Sequence, residues 1–136
     1  MSVDPTAARD PLLVVREWHA AVNAGVTDAA LALTTPDVEL GGPRGTARGH
    51  DALRRWIGTA GINLRLSMSF ARSGTVVVEQ RARWRSPDTG ELGDEEHVGS
   101  VFTVRDGLIE RIVRYPDLDA ALAAGGLEQH DAASGA

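Results

Sequence analysis

The sequence predicts an α+β fold in which helices pack on the concave side of a curved antiparallel sheet. The first observation is the order of the segments: two helices, a short strand, a third helix, long strands and a short last helix. The second is the alternation of apolar and polar residues in the long strands, typical of strands with one buried face. Three helices cannot cover such a sheet completely, so we expect an internal pocket between helices and sheet.

The length of 136 residues suits a single domain with a sizeable core. We expect residues 1–10 to form a flexible leader and residues 11–127 to form the domain. The small and polar residues 128–136 are predicted to be a disordered tail. The N-terminus has no basic region followed by an apolar block, and no apolar run reaches membrane-spanning length. We therefore expect a cytoplasmic protein that does not interact with membranes.

Composition argues against several classes of chemistry. The chain has no cysteine, and all 14 of its basic residues are arginines, so thiolate chemistry and a lysine Schiff base are excluded. The four histidines, His19, His50, His97 and His130, include no pair at i, i+4 spacing, so no metal site is predicted. The net charge of −5 is the opposite of what a nucleic-acid binder needs. We expect no cofactor and no nucleic-acid partner.

The first helices have recognisable boundaries. Asp10-Pro11 suits a helix start, and the helix should continue to about Ala24. An apolar stripe at i, i+3, i+4 and i+7 is formed by Val15, Trp18, His19 and Val22. A second short helix should begin near Thr27 or Asp28 and end before Pro36, with Leu31 as its clearest core residue.

The stretch from Val38 to Ile57 should contain a strand, a loop and a helix. The strand is predicted over Asp37 to Leu40, and the glycine-rich run from Gly41 to Gly45 is predicted to be a loop. The helix that follows should bury Leu53, Trp56 and Ile57 and end at Gly58 and Gly61.

The long strands can be divided into two faces. Ile62, Leu64, Leu66, Met68 and Phe70 should share the inner face of the first, and Val76, Val78, Gln80, Ala82 and Trp84 that of the second. The strand over about Asp94 to Arg105 should turn inward with Val98, Ser100, Phe102 and Val104. The last helix should begin after Asp117, continue to about Ala124 and stop at Gly125-Gly126.

Asp106-Gly107 predicts a two-residue hairpin turn before the last strand, Leu108 to Tyr115. Counting outward from this turn pairs Phe102 with Arg111 and Val98 with Tyr115. Paired residues share a face, so Arg111 and Tyr115 are predicted to point inward. Ile112 is predicted to point outward beside Val101. A slip of one residue in this register would reverse the faces of the last strand.

Three stretches resemble the nuclear transport factor 2-like superfamily, most closely its SnoaL-like and ketosteroid isomerase-like bacterial members. They are VVREWHAAVNAGVTDAALAL (14–33), VELGGPRGTARGHDALRRWI (38–57) and VFTVRDGLIERIVRYPDLDAAL (101–122). The resemblance covers roughly residues 10 to 127 and implies a cone-shaped fold with an internal pocket. It does not imply one function, because the superfamily contains isomerases, cyclases, dehydratases, hydrolases and non-catalytic binding modules.

The resemblance also allows candidate residues to be tested. The position of the isomerase base corresponds to Leu40, which cannot take a proton, and the tyrosine donor corresponds to Trp18. Ser100 corresponds to the second donor. Arg111 is the candidate cation for hydrolase chemistry, and His19 is the best candidate base for cyclase chemistry. Each residue also has a structural interpretation: Trp18 as core, His19 as a histidine with satisfied hydrogen bonds, and Arg111 as a charge at the sheet edge.

Two hypotheses follow, and Leu40 at the base position favours the first. In the first, the domain binds a small hydrophobic molecule in a largely apolar pocket without catalysis. In the second, it is a cofactor-independent enzyme acting on a hydrophobic or polycyclic substrate, with His19 as its catalytic residue. The predicted ligand-binding residues are Trp18, Leu40, Trp56, Trp84, Ser100, Arg111 and Tyr115. We also expect a homodimer through the outer sheet face, centred on Val77, Val101 and Ile112; a dimeric association module is a further alternative.

Overall fold

The computed structural model describes residues 10–42, 45–60, 62–84, 86, 88–91, 93–128 and 131–132, without the side chains of residues 56, 58–60, 62, 63 and 84. The elements are α1 (Pro11–Asn23), α2 (Thr27–Ala32), β1 (Thr34–Gly42), β2 (Gly45–Arg48), α3 (His50–Ala60), β3 (Ile62–Arg72), β4 (Thr75–Trp84), β5 (Glu96–Arg105), β6 (Leu108–Tyr115) and α4 (Leu118–Gly125). The mixed α+β architecture with a curved sheet agrees with the prediction.

The predicted caps of the first and last helices are confirmed. The Asp10 carboxylate accepts a hydrogen bond from the Leu12 amide at 3.0 Å, and Pro11 occupies the first turn of α1. The Asp117 carboxylate accepts from the Ala120 amide at 2.8 Å. Gly126 ends α4 in the left-handed conformation that glycine adopts without steric cost.

The sheet has the strand order β2-β1-β6-β5-β4-β3, and β1 runs parallel to β6 while the other pairs are antiparallel. The prediction of a loop over Gly41 to Gly45 was wrong at both ends. Gly41 and Gly42 belong to β1 and pair with Thr46 and Gly45 of β2. Pairing with β2 holds both glycines in extended conformation despite their low intrinsic strand propensity, and Gly41 also pairs with Val113 of β6. The α3 helix likewise continues through Gly58 to Ala60.

Two hydrophobic cores lie on opposite faces of the sheet. The inner core joins α1, α2 and α3 to the sheet, with Trp18, Leu31, Leu53 and Phe102 among its buried members. The outer core is smaller and packs α4 against the other face, through Val77, Ala121 and Leu122 among others. The prediction that the helices pack on the concave side therefore holds for the first three helices but not for α4.

A β-bulge in β3 changes the face of its second half. Leu66 pairs with Gln80, but Met68 pairs with Glu79, so Ser67 is an extra residue. Leu64 and Leu66 face inward as predicted. Beyond the bulge Phe70 lies in the outer core, and Met68 is 43% exposed. The predicted inward direction of Met68 and Phe70 was therefore wrong.

A second bulge lies in β6 and decides the composition of the site. The turn at Asp106 and Gly107 has positive φ at both residues, as the sequence predicts, and Val104 pairs with Ile109. Thr103 then pairs with Arg111, which leaves Glu110 as the extra residue. Phe102 consequently pairs with Ile112 and not with Arg111, and Ser100 pairs with Arg114. The predicted faces of Arg111, Ile112 and Tyr115 were all wrong, because the bulge shifts the register by one residue.

The C-terminal segment returns to the far edge of the sheet. Ala132 forms an isolated antiparallel bridge with Phe70, and the Asp131 carboxylate accepts hydrogen bonds from the Arg72 guanidinium at 2.6 and 3.1 Å. Leu127 is buried in the outer core. The predicted disordered tail, residues 128–136, lies mostly outside the described residues; within it, Asp131 and Ala132 contact β3.

Candidate functional site

The inner face of the sheet can be read as rows of side chains that cross the strands. One row runs through Arg114, Ser100 and Val78 on β6, β5 and β4. The rows beside it contain Leu40, Ile112 and Phe102 on one side, and Val98, Gln80 and Leu66 on the other. Polar side chains therefore occupy two adjacent rows, with Arg114 and Ser100 in one and Gln80 in the next, and apolar side chains surround them.

A buried chain of hydrogen bonds connects α1 to these polar side chains. His19 Nδ1 donates to the Val15 carbonyl oxygen at 2.7 Å, since a carbonyl can only accept. Gln80 Nε2 donates to His19 Nε2 at 2.7 Å, and Ser100 Oγ donates to Gln80 Oε1 at 2.6 Å. His19, Gln80 and Ser100 are all buried. Each polar atom in this hydrogen-bond network has a partner of the right kind. These hydrogen bonds offset the free-energy cost of removing the polar groups from water.

The environment of His19 keeps its imidazole neutral. Burial lowers the pKa of His19 to about 4, and the charge of Arg114 lowers it in the same direction, while the hydrogen bond to the Val15 carbonyl opposes the shift. His19 is 3% exposed, and its ring packs edge-on against Trp18, with ring centroids 5.1 Å apart. A base with this pKa is weak near neutrality, and its Nε2 lone pair accepts from Gln80. The arrangement suits a structural histidine better than a general base.

Arg114 places a guanidinium on the inner face. It is half-buried, and burial lowers its pKa from the ordinary arginine value. Arg114 pairs with Ser100 on the neighbouring strand β5. On its other side, in β1, a Cβ added to Gly42 would lie 3.9 Å from Arg114 Cβ. The inner face therefore presents a partly desolvated cation next to apolar side chains.

The structure separates the residues that the sequence predicted for one site. Trp18 is fully buried, with its ring 5.4 Å from that of Phe102, so it belongs to the core beneath the site. Leu40 is half-buried on the inner face, and Ser100 lies there fully buried. The side chains of Trp56 and Trp84 lie outside the described residues.

Arg111 and Tyr115 lie away from the site. Arg111 is exposed and its Nε lies 3.8 Å from Glu39 Oε2, while Tyr115 packs against the outer core. The predicted cation is thus on the wrong face, and Arg114 occupies the inner position three residues later.

Sequence reasoning assigned no role to Gln80 or Arg114. It placed Gln80 on the inner face correctly, but nothing in a strand pattern shows that a helix will bring His19 against it. A signal for Arg114 was present: Ile109 and Ile112 are both buried, and their odd spacing is incompatible with regular alternation in one strand. A bulge between them resolves that conflict.

Other kinds of site find no support in the part of the chain that the structure describes. Its His, Asp and Glu residues include no group of three or more that could hold a metal ion. None of the helices in the same residue ranges is long and apolar enough to cross a membrane.

Solved structures define the class of fold. The chain is similar to an NTF2-like protein of unknown function from Cytophaga hutchinsonii, with a TM-score of 0.71, 15% identity, and coverage of 88% of this chain and 97% of the other. It is similar to TerC co-crystallised with polyporic acid, with a TM-score of 0.69, 19% identity, and coverage of 85% and 98%. A cystatin-fold protein from Novosphingobium aromaticivorans matches with a TM-score of 0.69, 16% identity, and coverage of 79% and 98%. Identities this low show the shared fold alone, and the fold is NTF2-like.

The sequence pattern of one family within this class matches the chain over residues 15–112, under the description SnoaL-like domain. The match covers most of the chain, so this protein belongs to the SnoaL-like domain family. No curated protein matches it. The resemblance noted from the three sequence stretches is thereby confirmed.

Proposed function

We propose that this SnoaL-like domain binds a small, largely apolar molecule on the inner face of the sheet. The observation that carries the proposal is the set of half-buried apolar side chains beside the inner core, which includes Leu33, Leu40 and Leu66. An apolar ligand that covered them would gain roughly 25 cal/mol for each Å² removed from water. The structure of TerC with polyporic acid supports the proposal, because a protein of the same fold was crystallised with a small organic molecule.

The buried hydrogen-bond chain favours binding over catalysis. The Ser100 hydroxyl proton is directed to Gln80, so it does not act as the second donor that isomerase chemistry would need. His19 is neutral and accepts from Gln80. These groups stabilise the packing of α1 on the sheet, and the half-buried apolar residues form the proposed contact surface.

A fluorescence titration with a neutral apolar dye such as Nile red tests this function. We expect Leu40→Asn to weaken dye binding about tenfold, since a buried leucine contributes about 1.5 kcal/mol or more to an apolar contact. Leu13→Asn is the matched control, because Leu13 is 49% exposed on α1. An unchanged affinity in Leu40→Asn, or equal losses in both variants, would contradict binding on the inner face.

We further propose that the protein is a homodimer through the outer face of the sheet, with a revised contact. Of the predicted centre, Val77 and Val101 are already covered by α4, and Ile112 faces inward. The outer face retains Met68 beside the charged residues Glu79 and Arg81. In sedimentation velocity, Met68→Lys should then dissociate into monomers, whereas the control variant Leu13→Lys should remain dimeric. A monomeric wild-type protein would refute the dimer.

A cytoplasmic location in a bacterial cell is also proposed, on the sequence grounds given above. Fractionation of source cells tests it, and recovery of the protein in a membrane or secreted fraction would contradict it.

A further inference from the structure

We infer that the apolar ligand carries a hydroxyl group and that the side-chain oxygen of Ser100 accepts a hydrogen bond from it. This inference rests on the proposed function and specifies the class of ligand, a phenol or alcohol with an apolar body. It reverses the role that the family resemblance implied for Ser100, because the isomerase position requires a donor. Its basis is the direction of the buried hydrogen-bond network formed by His19, Gln80 and Ser100.

The direction of this network is fixed at its α1 end. The Val15 carbonyl oxygen can only accept, so Nδ1 of His19 carries the proton and Nε2 of the neutral ring carries a lone pair. Nε2 accepts from the amide nitrogen of Gln80, which directs the amide oxygen to Ser100. The Ser100 hydroxyl proton therefore goes to that oxygen, at 2.6 Å. Any further partner of Ser100 can meet only its lone pairs.

The Ser100 oxygen has acceptor capacity left over. A hydroxyl group has one proton and two lone pairs. Among the residues that the structure describes, its side chain makes one hydrogen bond, the donation to Gln80. The lone pairs point away from Gln80, because the bonds and lone pairs around the oxygen are roughly tetrahedral. Ser100 is 2% exposed, so a hydrogen bond formed there is stronger than the same bond in bulk water.

Burial on the inner face decreases from β4 toward β1, which indicates the side from which a ligand reaches Ser100. Gln80 on β4 is 1% exposed, whereas Arg114 on β6 and Leu40 on β1 are half-buried. Ser100 on β5 lies between these two zones, with its proton directed to the closed side. Since β1 and β5 are two strand spacings apart, about 10 Å, a ligand with two fused rings that covers Leu40 and Ile112 extends to Ser100.

Isothermal titration with 2-naphthol and 2-methoxynaphthalene tests the inference. Both probes have the same ring system and an oxygen at the same position, but only naphthol can donate a hydrogen bond. Wild-type protein should bind naphthol about fivefold more tightly than the ether, the effect of one net hydrogen bond. Naphthalene controls for the bulk of the methyl group and should also bind about fivefold more weakly than naphthol.

Ser100→Cys tests the residue itself. Cysteine keeps a similar shape and a weak S–H donor for Gln80, but its sulfur is a weak acceptor. This variant should bind naphthol and its methyl ether with similar affinity. Ser69→Cys is the matched control and should retain the preference, because Ser69 is buried in the same cross-strand row, on the other side of Val78.

Gln80→Leu provides a second variant if Ser100→Cys fails to fold. Without the Gln80 amide oxygen, the Ser100 proton is released and can be donated to the ether oxygen of methoxynaphthalene. The ratio of the two affinities should then approach one through a gain for the ether. A ratio that stays at the wild-type value would overturn the direction assigned to the network.

The outcomes distinguish the two proposals. Equal binding of all three probes to the wild type, with the dye result intact, overturns the hydroxyl-bearing ligand and leaves the proposed function standing. A preference for naphthol that survives Ser100→Cys overturns Ser100 as the acceptor. Failure of the dye and of all three probes to bind overturns both proposals.

Discussion

At the scale of single residues, the most informative group is His19, because its protonation is linked to folding. Its pKa is about 4 in the folded protein and 6.5 in a model compound, so the unfolded chain binds the proton more strongly. The stabilisation is fully present above the unfolded pKa and is lost as pH falls through the window from 6.5 to about 4. Acidification across this window therefore destabilises the fold.

We expect the free energy of unfolding to fall by up to about 3 kcal/mol across that window through His19 alone. Urea unfolding at a series of pH values measures the loss. His19→Gln, which cannot titrate, supplies the reference and should show a shallower decline over the same range. Parallel curves for the two proteins would mean that His19 titrates normally.

Gln80 is the second residue on which the core depends. Gln80→Leu keeps the side-chain size but leaves the His19 acceptor and the Ser100 donor without the amide that pairs them. Each buried group left in this way costs about 1 to 3 kcal/mol, so we expect a loss of about 2 to 4 kcal/mol in urea unfolding.

Ser100→Ala in the Gln80→Leu background provides the control for that loss. Removal of the stranded hydroxyl should recover about 1 kcal/mol, although Ser100→Ala in the wild type destabilises. Additive losses in the double variant would show that the two residues do not act as one network.

At the scale of elements, the close approach of α4 to β5 depends on Gly99. A Cβ at this position would collide with the Asp117 carbonyl oxygen and lie 2.7 Å from Ala121 Cβ. Neither atom can move away by a side-chain rotation, so α4 would have to lift from the sheet. We expect Gly99→Ala to destabilise the protein by about 1 to 3 kcal/mol.

Gly42→Ala is the matched control for that substitution, because its nearest neighbour would be at the ordinary contact distance of 3.9 Å. Thermal unfolding of the two variants should therefore separate clearly. Equal stabilities would show that α4 can shift at little cost.

At the scale of the whole molecule, the C-terminal segment ties the end of the chain to the far edge of the sheet. The Asp131 side chain is 10% exposed and holds Arg72, while Ala132 bridges to Phe70. A covered edge strand is protected from pairing with another chain. Loss of this contact should therefore affect the β3 edge first.

We expect Asp131→Asn to lower stability by about 1 kcal/mol or less, since Arg72 is largely exposed to screening by solvent. Hydrogen exchange should accelerate in residues 68–72 and remain unchanged in β5. Asp94→Asn, in an exposed loop, is the control. Unchanged exchange along β3 would falsify the proposed edge contact.

The sequence alone determined the family and most of the elements, although it missed β2. Periodicity located the α1 stripe and the boundaries of β6. The helix caps at Asp10 and Asp117 and the turn at Asp106-Gly107 also formed as predicted. These features depend on residues close together in the chain, so local propensity suffices to predict them.

The tertiary structure decided which side chains form the site. The bulge at Ser67 left no signal, because Leu64, Leu66, Met68 and Phe70 alternate regularly, yet pairing with β4 turned Phe70 outward. The bulge at Glu110 replaced Arg111 by Arg114 on the inner face. The partner of His19 was likewise decided by the packing of α1 on β4, across 61 positions of sequence. A one-residue shift reverses the face of each later side chain in a strand, and only the fit of both faces against their cores determines where that shift occurs.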